Sequence, residues 1–169
     1  MEAYRQHLTR FVYQTGMFMR PVFTAAKLAT AKRVAYAEGE DERVLRAAQY
    51  AVDEGIARPI LVGRPAVIEA RIKKAGLHIR LGTDFEVVDP EDDPRFRTYW
   101  ESYHKLMGRR GMTPEAAKAA VRRSNTVIAA LMIHLGDADA MICGMVGRFD
   151  AHLEHIRDLI GLKRGDHGV

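Results

Sequence analysis

The sequence predicts an α/β fold: a parallel sheet with helices on both faces, preceded by a helical arm. Two observations carry this. From residue 32 onward, short apolar runs alternate with amphipathic helical stretches, the order that builds βα units. The runs are also too short and too continuously apolar for strands with one face in water, so they belong to a sheet covered on both sides. With 169 residues, 47% hydrophobic and 28% charged, the chain has the composition of an ordinary globular protein.

Residues 1–31 form the arm. Leu8, Phe11 and Val12 lie three and four apart, and Phe18, Val22, Ala25 and Ala26 repeat that spacing after Gly16. Pro21 falls in the first turn of the second helix, where its missing N–H costs nothing. The arm either covers the domain's own sheet or contacts another domain or subunit. Residues 32–169 form the α/β region. Arg33–Ala37 is the first strand, and Glu42–Glu54 follows as a helix with Val44, Leu45, Ala48 and Val52 on one face, ended by Gly55. Pro59–Val62 is the second strand, closed by Gly63, and Pro65 opens a helix to Ala75 that Gly76 stops. Phe85–Val88 is the third strand. Asp93 caps a helix reaching about Met107, and Thr113-Pro114 starts the longest helix, running to about Leu135. Ala140–Cys143 is a fourth strand, expected in the middle of the sheet. A last helix spans about Phe149 to Ile160, closed by Gly161.

Several function classes are excluded at this level. The net charge is +4, but the basic residues are spread over every segment instead of gathering on one face, which argues against nucleic acid. The most apolar stretch, near Val127–Leu135, is far shorter than the ~20 residues that span a bilayer, so no membrane role is expected. Residues 1–20 are broken by Arg5, His7, Arg10 and Arg20, unlike a secretory signal. A single cysteine, Cys143, fits a reducing, cytoplasmic setting. In a buried strand without a base nearby, that thiol lacks what a nucleophile needs. His152 and His155, three apart on the last helix, are read as polar surface, so no metal site is expected.

Open parallel sheets bind ligands beyond the carboxyl ends of their strands. Three loops lie there: Glu38–Asp41, Gly63-Arg64 and Gly144–Asp150. The first sets one glycine among three carboxylates, the wrong charge for cradling phosphate. It reads as a helix start stabilised by its acidic residues, the alternative being a polar cleft wall or an ion-pair hub with Arg43 or Arg64. In the third, Gly144 and Gly147 let backbone approach a ligand, and Arg148 offers a fork for phosphate or carboxylate. It matches neither GxGxxG nor a Walker loop.

The stretch Lys32–Ala48, reading Lys-Arg-Val-Ala-Tyr-Ala-Glu-Gly-Glu-Asp-Glu-Arg-Val-Leu-Arg-Ala-Ala, closely resembles the opening of phosphate acetyl/butyryl transferases. Pro59–Gly63, Arg110-Gly111-Met112-Thr113 and Gly136–Met141 match later signatures of that family in order. Glu2–Arg5 through Phe18–Pro21, and Met141–Gly144 with Arg148-Phe149-Asp150, resemble the phosphotransacetylase-like C-terminal region of large bacterial NADP-dependent malic enzymes. The resemblance implies an isocitrate/isopropylmalate-dehydrogenase-like domain, of which these residues are the first half. In the family, the second half supplies a Ser-Arg pair and an Asp, so no catalytic residue is expected here.

A working transferase also carries two arginines in this half. By resemblance they fall at Met107 and near Leu153, the latter followed by Glu154 in place of proline. Their absence argues against transferase activity, and the resemblance to the malic-enzyme branch implies a non-catalytic domain that binds acetyl-CoA or a related acyl-CoA as effector; a homo-oligomer is also expected. Arg109, Arg110, Gly144, Val146, Gly147 and Arg148 are the implied ligand contacts. The malate-oxidising domain lies in cis, with NADP and a divalent metal confined to it and no cofactor in this region. The alternative is a genuine acetyl- or butyryltransferase moving an acyl group between CoA and phosphate.

Overall fold

A computed structural model describes residue 17 and residues 19–161. The first predicted arm helix lies outside the described residues. Residues 19–28 are helical (α1) and meet the outer side of the next helix. The Phe23 ring meets the edge of Tyr50, with centroids 6.4 Å apart, and Lys27 pairs with Glu54 at 2.6 Å. Met17, Val22 and Leu28 are exposed.

The remaining elements follow in order. Strand β1 is Lys32–Tyr36, helix α2 Glu42–Asp53, β2 Ala57–Val62, α3 Pro65–Ala75, β3 Glu86–Val88 and α4 Phe96–Met107. After a 3₁₀ turn at Gly108–Arg110 come α5 Pro114–Arg123, α6 Asn125–Leu135, β4 Ala140–Ile142 and α7 Phe149–Leu159. The strands are all parallel in the order β3-β2-β1-β4. Parallel neighbours need a crossover between them, and the intervening helices provide it.

Period-two alternation sends the strand side chains to opposite faces. Ala35, Ala37, Ile60, Val62 and Val88 face a core shared with α4, α5, α6 and α7. Tyr36 and Leu61, with Val34 and Val87, face a second core closed by Val44, Leu45 and Ala48 of α2 and Ile68 and Ile72 of α3. The predicted two-sided sheet is therefore present. Among the described residues, no helix is long and apolar enough to cross a membrane.

Four predicted details differ. The long helix of 113–135 is two helices, because Ser124 is extended (φ −127°, ψ 105°) and its Oγ accepts from Val127 N at 3.3 Å, capping α6. The break has a packing reason. Helix α5 buries only Ala117 and Val121, whereas α6 is buried all round from Thr126 to Met132, and one straight rod cannot satisfy both. Helix α4 starts three residues after Asp93, whose carboxylate instead accepts from Arg95 N at 2.8 Å in a turn. Strand β3 begins at Glu86, Phe85 making an isolated bridge with Leu81. Strand β4 is an edge strand among the described residues, with Ala140 and Ile142 exposed.

Candidate functional site

The chain runs from β1 outward through β2 to β3, then returns to place β4 on the other side of β1. The carboxyl ends of β1 and β4 therefore form the topological switch point, where sheets of this type open a crevice. Two of the predicted loops meet there. Ala37 N donates to Ile142 O at 3.0 Å, Gly144 N to Glu38 Oε1 at 2.9 Å, and Arg43 Nη2 to Met145 O at 3.4 Å.

Five of the six residues of the Glu38–Arg43 turn have a structural task. Gly39 is indispensable by distance: a Cβ there would sit 2.8 Å from Leu61 Cβ and 2.9 Å from Val62 O. Its N–H donates to Val62 O at 3.1 Å, tying the turn to β2. Asp41 caps α2 by accepting from Arg43 N at 2.9 Å, and takes the Arg43 guanidinium bidentately at 2.9 and 2.8 Å. That guanidinium holds the Asp41 carboxyl down at about 2. Glu40 accepts from Arg64 N at 3.0 Å and from its guanidinium at 2.8 and 2.9 Å, and the Arg64 hydrogen bond lowers its carboxyl below the usual range. Arg71 closes the turn on Glu40 O. The turn is thus both a helix start and an ion-pair hub, with Glu38 reserved for the glycine loop.

The glycine loop is held from inside. Besides Glu38 and Arg43, His152 Nε2 lies 2.8 Å from Val146 O while its Nδ1 lies 2.7 Å from Thr126 Oγ1. Side chains on a helix lean toward its N-terminus, so a histidine in the first turn of α7 reaches back over the loop preceding it. Gly147 has φ 104°, and a Cβ there would lie 3.0 Å from His152 Nε2, so backbone conformation and packing both demand glycine. Outside, Met145, Val146 and Phe149 are exposed beside Arg148, whose guanidinium pairs with Asp150. Cys143 is half-buried at the foot of the loop, and burial together with Glu38 pushes its thiol up, against thiolate formation.

The predicted ligand residues divide. Gly144, Val146, Gly147 and Arg148 share the loop. Arg110 is bound to Asp158 near the far end of α7, in an open groove of about 580 Å³ lined also by Asp150, Leu153, Glu154 and Arg157. Arg109 lines a different hollow with Ser102, Lys105, Leu106, His134 and Leu135. Met107 is buried in the core against the sheet. Glu38 lies in the first of the three loops, but its grip on the glycine loop is not encoded locally; Thr126 and His152 are not singled out by the sequence, His152 falling in the histidine pair read as surface although its side chain is only 15% exposed. Among the described residues, no cluster of three or more His, Cys, Asp or Glu side chains offers a metal site.

Four parallel strands with helices on both faces, and loops that meet at the β1–β4 switch point, define an open α/β domain. The model of the phosphate acetyl/butaryl transferase family matches residues 17–169, and the chain belongs to that family. It is 54% identical over 164 residues to an NAD-dependent malic enzyme of Rhizobium meliloti, covering 97% of this chain and 21% of that protein. To an NADP-dependent malic enzyme of Escherichia coli it is 49% identical over 166 residues, covering 98% and 22%. A phosphate acetyltransferase of Nitratidesulfovibrio vulgaris is 32% identical over 114 residues, 68% of this chain and 16% of that one. The chain thus spans about a fifth of the curated malic enzymes it matches. Among solved structures, a phosphotransacetylase from Streptococcus pyogenes superposes with a TM-score of 0.78 at 23% identity, over 88% of this chain and 44% of that one, which shows the shared fold.

Proposed function

We propose that this chain is the phosphotransacetylase-like region of a malic enzyme, sensing acetyl-CoA as an effector without transferring acyl groups. The observation that carries the reading is the chemistry at the two positions where the resemblance expects transferase arginines. Position 107 is a methionine buried in the apolar core. Position 153 is a leucine in a groove of three carboxylates (Asp150, Glu154, Asp158) against two guanidiniums (Arg110, Arg157), which disfavours a polyanion. Agreement with malic enzymes over 97–98% of the chain supports the same branch.

Effector binding then centres on the glycine loop. Arg148 stands at the N-cap of α7, where the helix dipole adds to its charge for a phosphate, and the exposed Met145, Val146 and Phe149 offer apolar surface to the rest of the molecule. The malate-oxidising domain in cis carries NADP and the divalent metal, and the assembly is a cytoplasmic homo-oligomer. Regulation requires acetyl-CoA to bind two assembly states unequally.

The test uses the full-length protein. Malate oxidation responds to acetyl-CoA, no acetyl phosphate forms from acetyl-CoA and phosphate, and Arg148→Ala weakens the response by about tenfold or more, the loss expected for one charged hydrogen bond. Acetyl phosphate formation would establish the transferase reading instead. Acetyl-CoA that changes neither activity nor assembly would remove the sensor.

A further inference from the structure

We infer that His152 is the positioning residue of the glycine loop: its Nε2–H fixes the Val146 carbonyl, and through it the shape in which the loop meets its ligand. The inference rests on the sensor reading for the identity of that ligand, and on geometry alone for the role of the histidine.

The hydrogen-bond chemistry leaves one tautomer for the neutral ring. A carbonyl oxygen only accepts, so the nitrogen 2.8 Å from Val146 O carries the proton. Nδ1 is then bare and accepts from the Thr126 hydroxyl at 2.7 Å. Thr126 is itself only 4% exposed and sits in the first turn of α6, the helix packed all round by core. A rigid element therefore braces one side of the ring while the other side grips the loop. Glu38 completes the cradle: its Oε1 accepts from Gly144 N at 2.9 Å and lies 4.0 Å from His152 Nδ1. Glu38 is 13% exposed and belongs to the β1–α2 turn, so the loop is clamped between the two elements of the switch point.

This arrangement differs from a packing role in being specific to one nitrogen. Glutamine places an amide nitrogen near the position of Nε2, and asparagine places its polar atoms near Nδ1. His152→Gln keeps a donor for Val146 O and loses the Thr126 contact. His152→Asn keeps a partner for Thr126 and has nothing that reaches Val146 O.

The experiment is hydrogen–deuterium exchange of the peptide covering residues 143–149 in the full-length protein, with and without acetyl-CoA, for wild type, both variants and Thr126→Val. Without ligand, His152→Asn exchanges about tenfold faster than wild type, whereas His152→Gln and Thr126→Val, which each lose only the Thr126 contact, stay within about twofold. Acetyl-CoA protects the loop in wild type, and its apparent Kd rises in His152→Asn in proportion to the lost fraction of molecules that hold the competent loop. Equal exchange in the Asn and Gln variants overturns the proposal and leaves the sensor reading standing. Should His152→Asn fail to fold, His152→Gln exchanging about tenfold faster than wild type, with its donor to Val146 O kept, overturns it. The expected exchange pattern with no acetyl-CoA protection in wild type removes the sensor reading, and with it the effector part of this proposal.

Discussion

Replacing Gly39 by alanine tests the whole construction of the β1–α2 turn with one methyl group. The backbone of Gly39 is not in the left-handed region, so alanine meets no conformational strain there. The cost is spatial. The new Cβ would lie 2.8 Å from Leu61 Cβ, 2.9 Å from Val62 O and 3.0 Å from Val62 N, and two of these neighbours are backbone of an interior strand that cannot swing aside. Overpacking of this kind costs about 1–3 kcal/mol. Pushing the turn outward also stretches the 3.1 Å bond from Gly39 N to Val62 O, roughly 1 kcal/mol more. The lower entropy of the unfolded alanine chain returns about 0.4–1 kcal/mol. A net loss of about 1–3 kcal/mol follows, or roughly 3–10 °C in Tm for a domain of this size. Urea unfolding read through Trp100, the single tryptophan, measures it. A midpoint equal to wild type with an unchanged m-value would refute the close-approach argument.

Three further outcomes follow from the same geometry. Asp41, held near 2 by Arg43, stabilises the fold above its unfolded value near 3.9, and that contribution is lost as pH falls from about 4 toward 2. Arg43 is well exposed, so screening limits the effect to about 1 kcal/mol; Asp41→Asn flattens the acid limb of a stability-versus-pH curve, and an unchanged limb contradicts the pairing. Ser124→Ala removes the α6 cap and lowers stability by about 0.5–2 kcal/mol in chemical denaturation, whereas stabilisation would mean that the helix break is dispensable. Under the homo-oligomer proposed above, Ile142→Lys puts a charge on the exposed edge strand β4 and reduces self-association of the 169-residue chain in sedimentation velocity, whereas an undiminished oligomer would place its contact elsewhere.

Most of the fold was legible because its signals are local. Gly55 and Gly76 end α2 and α3 in left-handed conformations, and Pro65 opens α3, as their chemistry dictates. The break at Ser124 was hidden because an alanine- and valine-rich run reads as continuous helix; only the different surroundings of α5 and α6 make capping better than continuation. The edge position of β4 was equally unreadable, since apolar continuity reports burial in some sheet, not which neighbours are present. At the site, spacing located the glycine loop but not its supports. Glu38 and Thr126 are separated from it by 106 and about 20 residues, and no periodicity encodes such a meeting.

That division bears on how the loop can work. Gly144 N, Met145 O and Val146 O are already engaged by Glu38, Arg43 and His152, so these backbone groups hold the loop rather than a ligand. What remains on the outer side is Arg148 with the exposed Met145, Val146 and Phe149. A phosphate-cradling loop turns its N–H groups toward the anion; this one turns at least one inward, to a carboxylate. Under the proposed effector reading, a guanidinium beside apolar side chains suits a ligand with one anionic end and a long uncharged body better than a bare phosphate. The loop thus has a rigid base, since His152 ties it to Thr126 of α6, which is buried in the core.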